Sequence, residues 1–199
     1  MTSRALPVTR GRGLLEPLLA RLRAGQANRL IPAALRSGRI LDLGGGSYPY
    51  FLTHTLFKEK FGIDQLTPAS EPPEIHWHQL NLNSSPQLPF PDGFFSAITM
   101  LAVAEHLNPA SLVILFQEGY RALAPGGLIV LTTPAAWSDG LLRWMARLQL
   151  VSAEEIGEHV YSYTLPLLGW YFGRADFAME KARFGYFEFG LNMWATAER

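Results

Sequence analysis

Short apolar runs alternate with longer amphipathic stretches along the first two thirds of the chain, and turn-forming residues separate them. Arg39–Leu43 reads as a first strand, Lys60–Asp64 as a second and Ile75–Asn81 as a third. Phe94–Met100 is a fourth, read as a clean buried strand, and Leu128–Thr133 a fifth. Pro49–Lys58 is predicted as a helix, with Ser47 or Tyr48 near its cap and Pro49 in its first turn, where a missing N–H costs little. Asn108 caps another helix that starts at Pro109 and runs to about Leu123. Pro125-Gly126-Gly127 has the residue order of a type II turn. Alternating strands and helices of this kind predict a wound α/β sheet. After Pro134 come an amphipathic helix over Trp137–Leu150, an acidic loop with Glu154, Glu155 and Glu158, and an aromatic segment, Tyr161–Phe172. Asp176–Glu198 alternates apolar and polar positions around glycines, which predicts an antiparallel hairpin closing the sheet edge.

Composition narrows this picture. A chain of 199 residues with 48% hydrophobic and 17% charged positions can bury one full core and is globular rather than disordered. The absence of cysteine excludes disulfides, thiolate metal sites and a cysteine nucleophile, and is compatible with the cytoplasm. No apolar run reaches the roughly 20 residues that span a bilayer. The net charge is zero but unevenly spread: residues 1–39 hold eight arginines against one acid, Glu16. In that region Leu14, Leu15, Leu18, Leu19 and Leu22 recur at helical spacing. The expected arrangement is a basic helical cap over residues 1–38, leucines packed on a domain spanning 39–199 and arginines in water. A weak contact with an anionic membrane surface is the alternative.

Candidate chemistry concentrates at Arg39-Ile-Leu-Asp-Leu-Gly-Gly-Gly-Ser-Tyr-Pro49. A strand entering three glycines and then a helix brings bare backbone and free N–H groups close to a ligand. Asp42 stands two residues before the first glycine. A carboxylate there repels a pyrophosphate and suits a ligand with a cationic end. Asp64 lies 20 residues beyond Gly44, one strand–helix–strand step on, at the end of the second strand. A carboxylate in that place offers two acceptor oxygens to a diol, or serves as an N-cap.

Four segments in order and spacing carry a family resemblance: Ile40-Leu-Asp-Leu-Gly-Gly-Gly46, Phe61-Gly-Ile-Asp64, Leu80-Asn-Leu-Asn83 with Leu88-Pro-Phe-Pro-Asp-Gly-Phe-Phe95 and Ala104-Glu-His-Leu107, and Arg121–Pro134. Across residues 39–134 the chain resembles class I S-adenosylmethionine-dependent methyltransferases, in particular the methyltransferase type 11 family of ubiquinone-biosynthesis-like small-molecule enzymes. The resemblance implies a Rossmann-like fold: a mostly parallel seven-stranded sheet, helices on both faces and an antiparallel C-terminal hairpin. It also implies S-adenosylmethionine as cofactor, with Gly44, Gly45, Gly46 and Asp42 around its methionine part and Asp64 on its ribose hydroxyls. Asn81 takes the place where the family often has Asp against the adenine amino group, and Leu82 and Leu101 flank the ring. Asn81 and Asn83 equally suit a plain turn.

Glu105 and His106 follow the fourth strand, at the edge where ligands bind in such sheets. In ubiquinone-type relatives a Glu-x-x-Glu-His arrangement binds metal, but Ala102 occupies the first Glu position here, so no metal site is expected. His106 is a candidate general base for a hydroxyl acceptor, or it and Glu105 only hold the loop. Trp137, His159 and Tyr163 are candidate walls of an acceptor pocket, or ordinary packing aromatics. The expected partner is a small-molecule methyl acceptor, not nucleic acid. The readings set against enzymatic methyl transfer are a non-catalytic S-adenosylmethionine binder and a nicotinamide-dependent oxidoreductase. Pro49 and Asp42 both disfavour the oxidoreductase.

Overall fold

The structure is a computed structural model that describes residues 14–68, 72–152 and 161–199. The acidic loop and His159 lie outside the described residues. In chain order the elements are α1 (Glu16–Leu30), β1 (Arg39–Leu43), α2 (Tyr50–Thr53), β2 (Glu59–Asp64), β3 (Ile75–Gln79), β4 (Phe95–Leu101) and α3 (Pro109–Ala122). β5 (Leu123–Pro134), α4 (Asp139–Arg147), α5 (Leu165–Arg174), β6 (Ala182–Phe187) and β7 (Asn192–Glu198) follow. They build one seven-stranded sheet in the order β3-β2-β1-β4-β5-β7-β6. β3, β2, β1, β4 and β5 are parallel, whereas β7 runs antiparallel to both β5 and β6. This is the expected mostly parallel sheet with its antiparallel C-terminal hairpin.

Side-chain alternation along the strands divides the core between the two faces. Leu41 and Leu43 of β1, Ile98 and Met100 of β4 and Ile129 and Leu131 of β5 join α3 and α5 in the larger cluster. Ile40, Ala97 and Val130, one step out of phase, meet Ala24 and Ala27 of α1 and Phe51 and Leu52 of α2. Asn108 caps α3 as predicted, its side chain accepting from the Ser111 N–H at 2.9 Å. Pro125-Gly126-Gly127 sits inside β5 next to a register shift against β4, with Gly126 at φ 76°, a conformation that favours glycine.

Three expectations are corrected. The helix predicted over Pro49–Lys58 is a single turn, Tyr50–Thr53. The Thr53 hydroxyl donates back to the Pro49 and Tyr50 carbonyls. The Thr55 hydroxyl donates to the Asn28 side chain at 2.7 Å and accepts from Arg36 at 3.0 Å, which draws the chain out of helical register. The helix predicted over Trp137–Leu150 is confined to α4 and stops where Gln149 turns to φ 59°. Finally, α1 packs only some of its leucines, Leu19 on the α4 cluster and Leu30 on the sheet cluster. It lies on the sheet through Ala20, Ala24 and Ala27, which allow close approach, and turns Leu14, Leu18 and Leu22 to solvent.

Gly62 of β2 lets the Trp77 indole of β3 lie flat across it toward Gly45, and a Cβ at Gly62 would run into that ring. Gly62→Ala therefore forces the indole aside, with an expected loss of about 1–3 kcal/mol of stability in urea denaturation; an unchanged midpoint would contradict this packing.

Candidate active site

A cavity of about 510 Å³ opens at the carboxyl ends of the parallel strands, the edge where ligands bind in wound sheets. Its size falls within the range of small-molecule sites. Its floor is the turn after β1, with Gly44 at φ 81° and Gly46 at φ 68°. At Gly44 a side chain would also collide with Val103. The Gly44 N–H donates to the Ile63 carbonyl at 2.7 Å, and the Gly46 N–H donates to Asp64 Oδ2 at 2.9 Å. Asp64 Oδ1 accepts from the Leu66 N–H at 2.8 Å. The buried Asp64 carboxylate thus clamps two turns at the cavity's edge.

Asp42 is buried beneath the glycines and accepts from the Thr99 hydroxyl at 2.6 Å. Burial pushes its carboxyl up to about 7; the Thr99 bond opposes that shift and the nearby Asp64 charge adds to it. Glu105 is buried at 2% exposure and accepts from Thr133 at 2.9 Å. With Glu16, also in the lining, four acidic side chains and one guanidinium, Arg23, border the space. That balance favours a cationic guest.

The remaining candidates divide. Leu82, Leu101 and His106 line the cavity. So does Asn81, but its amide oxygen accepts from the Asn83 and Ser84 N–H groups at 2.9 and 3.2 Å, which is the turn-forming role. Asn83 bridges to the next loop: its side chain accepts from the Asn108 N–H and donates to the His106 carbonyl. The two aromatics expected as pocket walls are not brought to it. Trp137 is 62% exposed. Tyr163 is buried in the larger core cluster, its hydroxyl donating to the Ala104 carbonyl at 3.2 Å and its acidity lowered chiefly by desolvation. Sequence reasoning missed Glu16, Ala20, Arg23 and Ala24 on α1, Leu142 on α4 and Asn192 on β7, all in the lining. Among the described residues no group of three or more His, Asp or Glu side chains is placed to hold a metal.

The residues fit S-adenosylmethionine on chemistry alone. The lining offers carboxyl groups suited to a cationic end and a diol, bare glycine backbone, and Leu82 and Leu101 as apolar walls suited to a ring.

A family profile described as a methyltransferase domain matches residues 15–182. No curated protein matches the chain by sequence. Among solved structures, an S-adenosylmethionine-dependent methyltransferase from Archaeoglobus fulgidus superposes with a TM-score of 0.67 at 14% identity, over 90% of this chain and 94% of that one. A second such methyltransferase, from Mesorhizobium loti, gives 0.62 at 17% identity, over 94% and 98%. Phosphoethanolamine N-methyltransferase 2 of Haemonchus contortus, in complex with S-adenosylmethionine, gives 0.65 at 13% identity, over 90% of this chain and 52% of that one.

Asp42 makes a pH prediction. Its folded pKa, about 7, lies above the ordinary 3.8, so the folded state holds the proton more tightly. The stability it contributes is complete below about pH 4 and is lost as pH rises toward 7. Asp42→Asn keeps an acceptor for Thr99 and removes that loss. Its advantage over the wild type should widen between pH 5 and 8 by on the order of 2 kcal/mol in chemical denaturation; parallel curves would refute the assignment.

Proposed function

Because this chain belongs to the methyltransferase-domain family, as a class I S-adenosylmethionine-dependent methyltransferase of the type 11 kind, we propose that its methyl acceptor is a small molecule and that the accepting atom is a hydroxyl oxygen. One observation carries the reading. A single cavity runs from the glycine turn to the walls made by α1 and α4, so cofactor and acceptor sites are continuous and walled by side chains.

Asp42, Gly44, Gly45, Gly46 and Asp64 hold the cofactor, with Leu82 and Leu101 on its ring and Asn81 beside it. Bound there, S-adenosylmethionine supplies an electrophilic methyl carbon and a neutral leaving group. The protein's own share is alignment and exclusion of water, which on the order of 7–11 kcal/mol of barrier reduction can represent at best. An imidazole nitrogen of His106 accepts the acceptor's hydroxyl proton, a task suited to a group whose ordinary titration lies near neutrality. Glu105, pinned by Thr133, faces the same cavity and positions the 3-10 turn Ala104–His106 that carries the imidazole. Ala20, Ala24 and Leu142 give the acceptor an apolar wall, and Arg23 and Asn192 give it polar contacts.

The test is formation of S-adenosylhomocysteine with a panel of small hydroxylated acceptors, read by mass spectrometry. His106→Ala should lower turnover by about 10²-fold or more and leave adenosylhomocysteine affinity within about threefold, a difference well under 1 kcal/mol. Unchanged turnover from pH 6 to 9 in this variant would remove His106 from the mechanism. Binding without turnover on any acceptor would favour a non-catalytic binder.

A further inference from the structure

The leucines that α1 turns outward do not stand alone. Leu14 (77% exposed), just before α1, and Leu18 and Leu22 on it recur at four-residue spacing. Leu141 and Trp144 (55% exposed) on α4 and Leu148, just past its end, form a second exposed group. The two helices are joined: the Leu14 and Leu15 N–H groups donate to the Gln149 and Leu150 carbonyls, and Leu19 packs with Met145 against Leu142, Ala146 and Val151. Large apolar side chains gathered on adjoining helices are a cost in water that isolated surface leucines are not.

Among the described residues the uncompensated charge around them is positive, and the acids that follow in sequence, Glu154, Glu155 and Glu158, lie outside the described residues. The acids of both helices are internally paired, Glu16 with Arg23 at 3.6 Å and Asp139 with Arg143 at 2.8 Å. Arg21, Arg29 and Arg147 are exposed, and none has an ion-pair partner among the described residues. Residues 1–13, which lead directly into Leu14, add three arginines and no acid. Exposed leucine and tryptophan on helices that also carry exposed arginine fits the boundary between anionic headgroups and acyl chains. No helix among the described residues is long and apolar enough to cross a membrane, so the contact is with a surface.

We propose that the joined outer faces of α1 and α4 dock on the surface of an anionic lipid bilayer. The same two helices wall the cavity through Leu19, Ala20 and Leu142, so docking brings the cavity wall to the lipid. On the methyl-transfer reading above, which this consequence rests on, the acceptor is then an amphiphile drawn from the bilayer.

The test is flotation of the full chain with vesicles of phosphatidylcholine alone and of phosphatidylcholine with roughly 30% phosphatidylglycerol. The expected result is retention on the anionic vesicles that falls as salt rises, and at least about a tenfold loss in Leu18→Glu/Trp144→Glu and in Arg21→Glu/Arg147→Glu. Adenosylhomocysteine affinity of both variants, measured without lipid, stays within about twofold of wild type, which reads folding and the cofactor site separately from docking. No retention of the wild type on either vesicle overturns the proposal, as does equal retention of both variants. A wild-type dimer in sedimentation that Leu18→Glu/Trp144→Glu converts to monomer overturns it in favour of a second copy of the chain.

Discussion

The carboxylate of Asp64 ties together two backbone segments that the pairing of β1 with β2 has already brought side by side. One oxygen takes the Gly46 N–H and the other the Leu66 N–H. Hydrogen bonds to a buried charge are stronger than neutral ones and costly to break, on the order of 1.5–3 kcal/mol each. They fix the glycine turn against the end of β2, and with it the floor of the cavity. Asp42, one strand over, is set under that turn by its place in β1, between β2 and β4. Gly44 and Gly46 supply the positive φ angles, and the aspartate together with the Gly44 bond to the Ile63 carbonyl holds the turn in place.

The helix above the floor completes the space by what it lacks. α1 lies on β4 and β5 through alanines, and two of them, Ala20 and Ala24, also line the cavity. Larger residues at these positions would fill the volume and lift the helix. The site is therefore bought with stability: small side chains where a core would take large ones, and a carboxyl under the glycines whose buried charge is disfavoured near neutral pH. The outward leucines follow from the same choice. A helix that presents alanine inward has its leucines left for another surface.

Strands β1, β2 and β4, the cap of α3 and the terminal hairpin were legible because each rests on a local pattern: an apolar run, Asn before Pro, alternation around glycine. Gly44–Gly46 and Asp64 were legible because their spacing is the length of one structural step. What could not be read depended on contacts far apart in sequence. Thr55 leaves the helical path because Asn28 and Arg36 hold it. Tyr163 is in the core because its hydroxyl finds the Ala104 carbonyl, 59 residues away. Arg23 reaches the cavity only because α1 crosses the sheet ends, and the leucine periodicity of α1 describes a real stripe but not which way it faces. Asn81 was readable in both of its roles, and its oxygen is engaged in the turn.

The proposed site holds a cationic nucleoside at the glycine turn through a carboxylate that also ties down that turn. Calorimetric titration of S-adenosylhomocysteine into the wild type and Asp64→Ala tests it most directly. The wild type should bind at one site, and Asp64→Ala, having lost both the diol acceptor and the clamp on Gly46, should bind at least about 100-fold more weakly, close to 3 kcal/mol. No heat with the wild type, or equal affinity in the variant, would contradict the account.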